Sequence, residues 1–258
     1  MSDLSKGVEV IVRQTREKLL PFWGNIEASH NKGRGASDVV TKLDLEIEQF
    51  LAEKLKGLDP TIEFAGEEFG GSRNSERFWL CDPIDGTAHF IRGLPFCTVM
   101  LALIENQQVT LSFIYDFVND DLYHAERGRG AYKNDIPIHV SDRPFANAYV
   151  GCETHLDKQE NLEKYFGLGK HASLFKSLCS GYEFAMVASG KLDGRIQFDG
   201  FGKDWDFAPG SLLVEEAGGI VANIGTNSYN YSNLDFIATN KTIFDALTTG
   251  PDAVFPIE

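Results

Sequence analysis

The run Trp79-Leu80-Cys81-Asp82-Pro83-Ile84-Asp85-Gly86-Thr87 packs two carboxylates, a proline and a helix-start signal close together. Pro83 has a fixed φ and no N–H, so the chain should leave the preceding apolar run in an extended-to-turn conformation. At Gly86 and Thr87 the backbone N–H groups should be free. Carboxylates beside free N–H groups suit divalent cations and a phosphate together. Two more acidic motifs accompany this run. One is Gly66-Glu67-Glu68; the other is Trp205-Asp206-Phe207-Ala208-Pro209-Gly210, which leads into Glu215-Glu216-Ala217-Gly218-Gly219. Singly, each has a plain explanation. Gly-Glu-Glu makes a solvated turn, Asp-Pro starts a turn, and Asp206 caps a helix over Phe207 to Val214.

These residues need elements to hold them. Leu4, Val8, Ile11, Val12, Thr15 and Leu19 recur at helical spacing and stop before Pro21. A second helix is expected from Ser37 or Asp38, with Val40, Leu43, Ile47, Phe50, Leu51, Leu55 and Leu58 on its buried face. Asp44 lies one turn beyond Val40, on or beside that face; taken alone it is an exposed helix residue or a local cap. After Asp59-Pro60 the period changes. Thr61 to Phe64 and Arg77 to Leu80 read as strands ending in acidic loops, and Phe96 to Tyr115 reads as a hairpin. Leu122 to Ala125 and Gly130 to Lys133 continue a mainly antiparallel sheet.

The second half alternates. Strands are expected at Ala148 to Cys152, Arg195 to Phe198, Gly219 to Ala222 and Leu234 to Ala238. Helices are expected at Lys158 to Phe166, Gly181 to Ser189, Asp206 to Ala217 and Lys241 to Thr248. That is an α/β pattern. The style changes near Ser141-Asp142-Arg143-Pro144, which divides one catalytic domain over 1–258 into halves 1–143 and 144–258.

Composition narrows the function. The net charge of −14, from 38 acidic and 24 basic residues, argues against general nucleic-acid binding, because phosphate backbones call for Lys and Arg stripes. It leaves room for a small phosphorylated substrate held through metal ions. No run reaches the ~18 apolar residues of a membrane span, and Met1 to Lys6 has no signal-peptide stretch, so a cytoplasmic protein is expected. Cys81, Cys97, Cys152 and Cys179 form no Cys-x-x-Cys pair, and the histidines show no zinc-hydrolase spacing. Buried, reduced thiols are expected.

Taken together and in this order, the acidic motifs resemble the inositol monophosphatase family of metal-dependent phosphomonoesterases. Phe78 to Phe90 carries the first signature, and Trp205-Asp206 with its downstream Ala217-Gly218-Gly219 carries the second. The resemblance spans essentially the whole chain. It implies an α/β fold, a layered αβαβα five-layer sandwich of the sugar-phosphatase type. It further implies a magnesium-dependent, lithium-sensitive phosphatase that forms a homodimer and acts on a small phosphorylated metabolite.

The resemblance also assigns roles. Glu67, Asp82 and the carbonyl of Ile84 would hold a first magnesium ion. Asp82, Asp85 and Asp206 would hold a second, and Glu67 would help hold a weaker third through water. This agrees with magnesium's preference for oxygen ligands and retained waters. Asp44 and Thr87 match the water-activating pair. Gly86, Thr87 and Ala88 would present N–H groups to the phosphate. Glu67, Ile84, Asp85, Thr87, Asp206 and Asp199 complete the substrate surroundings.

Several positions depart from the family pattern. Ala88-His89 stands where Thr-Asn is common, with His89 at the phosphate pocket or behind it. Pro209 replaces a small residue. In inositol-selective members an acidic residue seven before the Trp-Asp aspartate contacts sugar hydroxyls; that position is Asp199 counted back from Asp206, or Gln197 counted forward from Leu192-Asp193. Tyr182 and Glu183 either approach the leaving group or pack their helix. Lys32-Gly33-Arg34-Gly35 is either a mobile metal loop or a plain turn. Myo-inositol monophosphate or a related polyol or sugar phosphate is the first expected substrate. Histidinol phosphate is next, then nucleotide 3′-phosphates such as 3′-phosphoadenosine and fructose 1,6-bisphosphate. A non-catalytic regulator that kept the fold is the alternative from a different class.

Overall fold

The computed structural model describes residues 1–28, 30–31, 39–251 and 253–257. Helix α1 (Asp3–Leu19) starts at the Ser2 cap and buries Val8, Ile11, Val12, Thr15 and Leu19. Strands β1 (His30–Asn31) and β2 (Val39–Val40) pair with each other. Helix α2 (Lys42–Leu58) follows. It begins later than expected, and Val40 lies in β2 rather than on the helix. The cause is Thr41, whose hydroxyl accepts the Leu43 N–H at 3.1 Å while its own N–H donates to Asp44 Oδ2 at 2.7 Å. This reciprocal cap satisfies orphan donors at the helix start. Ser37, Asp38 and the Lys32 to Gly35 loop lie outside the described residues.

The first large sheet holds β3 (Glu63–Gly66), β4 (Gly70–Gly71), β5 (Arg77–Asp85), β6 (Thr98–Glu105), β7 (Gln108–Asp116), β8 (Asp121–Glu126), β9 (Ala131–Lys133) and β10 (Ile136–Pro137). Its order is β10-β9-β8-β7-β6-β5-β3-β4; only β3 and β5 run parallel. The β6–β7 turn is tight, with Asn106 and Gln107 at positive φ. Helix α3 (Thr87–Ile91) follows β5 directly.

The second sheet is built from β11 (Tyr149–Glu153), β12 (Ser173–Lys176), β13 (Gly194–Gln197), β14 (Ile220–Asn223) and β15 (Phe236–Thr239) in the order β12-β11-β13-β15-β14. Strand β11 is parallel to both neighbours. Helices α4 (Gln159–Gly169), α5 (Ser180–Ala188), α6 (Asp204–Glu216) and α7 (Lys241–Thr248) complete the order. β12 was not expected: its residues are half-exposed on a sheet edge, so the sequence carries little alternation there.

The layers are α1–α2, first sheet, α5–α6, second sheet, and α4 with α7. Three apolar clusters mark their interfaces. Ile47, Trp79 and Phe113 fill the outer one, Phe184, Phe207 and Leu212 the central one, and Val150, Ile196 and Ile243 the far one. The five-layer αβαβα sandwich is therefore present. No helix among the described residues is long and apolar enough to cross a membrane.

A candidate metal centre

Strand β5 runs through the Asp82-Pro83-Ile84-Asp85 motif instead of ending before it. Residues three apart on a regular strand face opposite sides. Here Asp82 pairs with Met100 and Asp85 with Thr98, so three steps on β5 match two on β6. This bulge turns both carboxylates to one side, and it accommodates Pro83, which has no N–H for the ladder. Gly86 then adopts φ +83°, a left-handed conformation that carries the chain into α3.

Asp206 does not cap its helix from outside, as expected. It sits in the first turn of α6, and its Oδ2 accepts the Lys203 N–H at 2.6 Å. Pro209 lies deeper in α6 than the sequence suggested, and its carbonyl accepts the Ser112 hydroxyl at 2.6 Å. The result is that oxygens of Asp82, Asp85 and Asp206 all lie within 4.8 Å of one another. With Glu67, Glu68, Ile84, Gly86 and Thr87 they line a cavity of about 820 Å³. His155, stacked on Phe201 at 4.2 Å, and Lys203 with Trp205 close its other side.

The electrostatics of this cluster are one-sided. Burial first, then the charges of Glu67, Asp85 and Asp206, push the Asp82 carboxyl well above its ordinary range. Asp206 is pushed up to about 7 by burial and by Asp85. Asp85 is also raised by burial, but the Cys179 thiol and the Gly181 N–H donate to its Oδ2 at 2.9 and 2.6 Å and pull it down. Clustered oxygen ligands whose negative charge is unfavourable without a partner are a fitting donor set for a hard divalent cation.

Asp44 is buried at 1% exposure and stands behind the cavity wall, joined to it through Thr87. Its Oδ1 is 3.0 Å from the Thr87 hydroxyl, which also stands 2.9 Å from the Ile84 carbonyl. Burial raises the Asp44 carboxyl, and the hydrogen bonds from Thr41 and Thr87 oppose that rise. Glu67 follows β3, held where its N–H donates to the Cys81 carbonyl at 3.2 Å.

A second cavity of about 280 Å³ adjoins the first and shares Asp85, Gly86, Phe201, Gly202 and Asp206 with it. Its remaining wall includes His89, Glu153, Cys179, Ser180, Arg195 and Gln197. Asp199 is not brought to either cavity. Its carboxylate is held by Lys158 Nζ and Asn161 Nδ2, both at 2.7 Å, because the backbone turns over at φ +75° there. Gln197 does reach the second cavity, but its amide donates to the carbonyls of Phe201 and Leu234 at 2.7 and 3.0 Å. Glu183 is buried in an ion pair with Arg195, and Tyr182 packs edge-on against Phe96. His89 turns its Nδ1 to the Phe96 carbonyl at 3.1 Å.

Sequence reasoning missed Glu48 and Glu153, and it placed Cys179 to Glu183 at the substrate's border without giving Cys179 or Gly181 a role. Glu48 left one signal: an acid one turn beyond Asp44 on the apolar stripe of α2. Its oxygens accept the N–H groups of Glu68 and Phe69, each at 2.7 Å, and so tie down the turn that carries Glu67. All four cysteines are buried and unpaired.

The family model described as "Inositol monophosphatase family" matches residues 4–250. The chain is 30% identical to the putative Nus factor SuhB of Neisseria meningitidis serogroup B, over 90% of this chain and 91% of that one. It is 28% identical to the fructose-1,6-bisphosphatase/inositol-1-monophosphatase of Thermotoga maritima, over 91% and 90%. Among solved structures, the suhB protein of Bartonella henselae superposes with a TM-score of 0.85 at 27% identity, covering 93% of this chain and 95% of that one. The Thermotoga maritima IMPase superposes at 0.84, also at 27% identity, covering 95% and 94%.

Proposed function

The chain belongs to the inositol monophosphatase family, and from that premise we propose that it hydrolyses a small phosphomonoester with magnesium ions. The observation that carries this reading is the convergence of Asp82, Asp85 and Asp206 beside the Asp44–Thr87 pair. In this reading Glu67, Asp82 and the Ile84 carbonyl would hold one ion. Asp82, Asp85 and Asp206 would hold a second, and Glu67 would help hold a weaker third. When bound, such ions neutralise phosphoryl charge and lower the pKa of coordinated water.

The chain's own groups do the rest. Thr87 gives its hydroxyl proton to Asp44 and turns its lone pairs to the cavity, where they orient the attacking water. Asp44, whose burial favours a proton, accepts the one Thr87 relays. The N–H groups at Gly86, Thr87 and Ala88 lack acceptors within their own helix and suit phosphate oxygens. The phosphorus–water bond forms as the phosphorus–alcohol bond breaks in line; the attacking water's proton passes through Thr87 to Asp44, a solvent water protonates the departing alkoxide, and no phosphoenzyme intervenes.

The leaving alcohol occupies the adjoining cavity. Inositol monophosphate and related polyol or sugar phosphates are candidates, with histidinol phosphate beside them. Substrates with a second phosphate fit less well, because Arg195, the one guanidinium lining that cavity among the described residues, already pairs with Glu183. Lithium inhibition and a homodimer belong to the same reading.

Relatives bearing the name Nus factor SuhB favour a second reading, a regulatory protein whose partner binding does not need catalysis. Phosphate release from a panel of phosphomonoesters with magnesium separates the two. Release that stops with EDTA and in Asp82→Asn supports catalysis. Release unchanged in EDTA sinks the metal mechanism, and no release with any phosphomonoester leaves the regulatory reading.

A further inference from the structure

The second cavity has mixed polar and apolar walls, and most of the polar groups are already engaged. Arg195 commits its two terminal nitrogens to Glu183, Ser177 and Ser180, and its Nε is buried without a partner. Gln197 uses both amide hydrogens on backbone carbonyls. Asp85 is bound by Cys179 and Gly181, and with Asp206 it faces the metal centre. Glu153, at the C-terminal end of β11, differs from all of these. Its side chain is only 12% exposed, and it accepts no hydrogen bond among the described residues. Among the described residues its ion-pair partner is Lys176, 4.0 Å away at the limit of such a pair, with its own side chain 71% exposed.

A carboxylate this buried is costly unless donors or an opposite charge face it. Burial does raise the Glu153 carboxyl, while Arg195 and Lys176 pull it down from a distance. The wall therefore presents an acceptor with negative charge to whatever enters the cavity. A neutral hydroxyl answers the hydrogen bond but not the charge. A protonated nitrogen answers both, as a charge-assisted bond.

We propose that Glu153 determines specificity for the leaving alcohol, selecting a phosphomonoester whose alcohol carries a protonated nitrogen over one whose alcohol is a neutral polyol. The proposal rests on the phosphatase reading and narrows its substrate class. It also accounts for the two residues that reach for sugar hydroxyls by sequence count: Asp199 is held by α4 and Gln197 by its own loop. The plainer reading makes Glu153 only a partner for Lys176, and the test separates them.

The test compares kcat/KM for a phosphorylated amino alcohol and for the matching phosphorylated diol, with magnesium, in the wild type and in Glu153→Gln. The wild type is expected to favour the amine by about 10- to 100-fold, mostly through KM. In Glu153→Gln that ratio is expected to fall to within about threefold of unity. The ratio is insensitive to any general loss of activity in the variant. A wild-type ratio near unity, a preference for the diol, or a ratio unchanged in Glu153→Gln overturns the proposal. p-Nitrophenyl phosphate hydrolysis under the same conditions tells the failures apart. Hydrolysis without an amine preference sinks this proposal alone, whereas no hydrolysis of any of the three esters sinks the phosphatase reading and this proposal with it.

Discussion

The Thr87 hydroxyl lies 3.0 Å from Asp44 Oδ1, although the two residues come from α3 and α2, on separate parts of the chain. A hydroxyl has one proton. Directed to Asp44, it leaves the oxygen's lone pairs free toward the metal centre. Asp44 is oriented in turn by the Thr41 N–H and hydroxyl, both 2.7 Å from its Oδ2. The helix cap and the proposed proton acceptor are the same side chain.

Thr87→Ala is therefore expected to lower turnover by about 100- to 10,000-fold, with divalent-cation affinity close to that of the wild type. Thr87→Ser, which keeps the hydroxyl, should retain most turnover. Calorimetric titration of the cation beside steady-state rates checks this; a Thr87→Ala enzyme at full rate would remove Thr87 from the mechanism.

Glu48 is fully buried and holds two successive N–H groups beyond Glu67. Glu48→Gln turns one acceptor into a donor facing an N–H, a change of about 1–3 kcal/mol in stability. Cation affinity should fall by about 10- to 100-fold, as for other groups that orient ligands. Thermal unfolding with and without magnesium measures both. An unchanged affinity in the folded variant would mean that the Glu67 turn holds itself.

Cys179 donates to Asp85 Oδ2 through its thiol at 2.9 Å. Cys179→Ser keeps a donor and should bind magnesium much as the wild type does. Cys179→Ala removes the donor and should weaken binding by a few-fold, about 1 kcal/mol. Equal affinities in the two variants would assign the orientation of Asp85 to the Gly181 N–H alone.

The metal-free protein should lose stability as pH rises. Asp206 goes from 3.8 in the unfolded chain to about 7 in the folded one, so the folded state holds the proton more tightly. That contribution is fully present below 3.8 and is lost as pH rises through about 7. Magnesium needs the deprotonated carboxylates, so its affinity should climb over the same window. Unfolding midpoints from pH 5 to pH 8, with EDTA and with magnesium, should move in opposite directions. Parallel curves would contradict the coupling.

Arg195 and Glu183 are each about 3% exposed as side chains and join β13 to α5. Arg195→Met leaves the Glu183 charge buried without its counter-ion, faced only by the Ser177 hydroxyl and the Leu178 N–H, a loss of about 3–5 kcal/mol. The double change Arg195→Met with Glu183→Leu should recover much of it. Chemical denaturation of the single and double variants decides. A double variant as unstable as the single one would show that the guanidinium's stacking on Phe184 and Phe207 matters more than its charge.

Apolar periodicity alone determined much of this molecule. The stripes on α1 and α7, the long hairpin and the alternation of the second half all follow from which residues must leave water, and burial is a property that local spacing records. The motif residues Asp82, Asp85 and Asp206 were legible for the same reason, because their types and order are local. What tertiary structure decided lies between segments. The bulge against β6 put Asp82 and Asp85 on one side, where a regular strand would have split them. The cap at Thr41 moved the start of α2, and Asp206 went inside its helix instead of before it. Asp199 turned away to α4, while Glu153 was left facing the second cavity with Lys176 only at the limit of an ion pair. Each of these depends on which distant donor or strand stands opposite a residue, and no spacing within one segment encodes that.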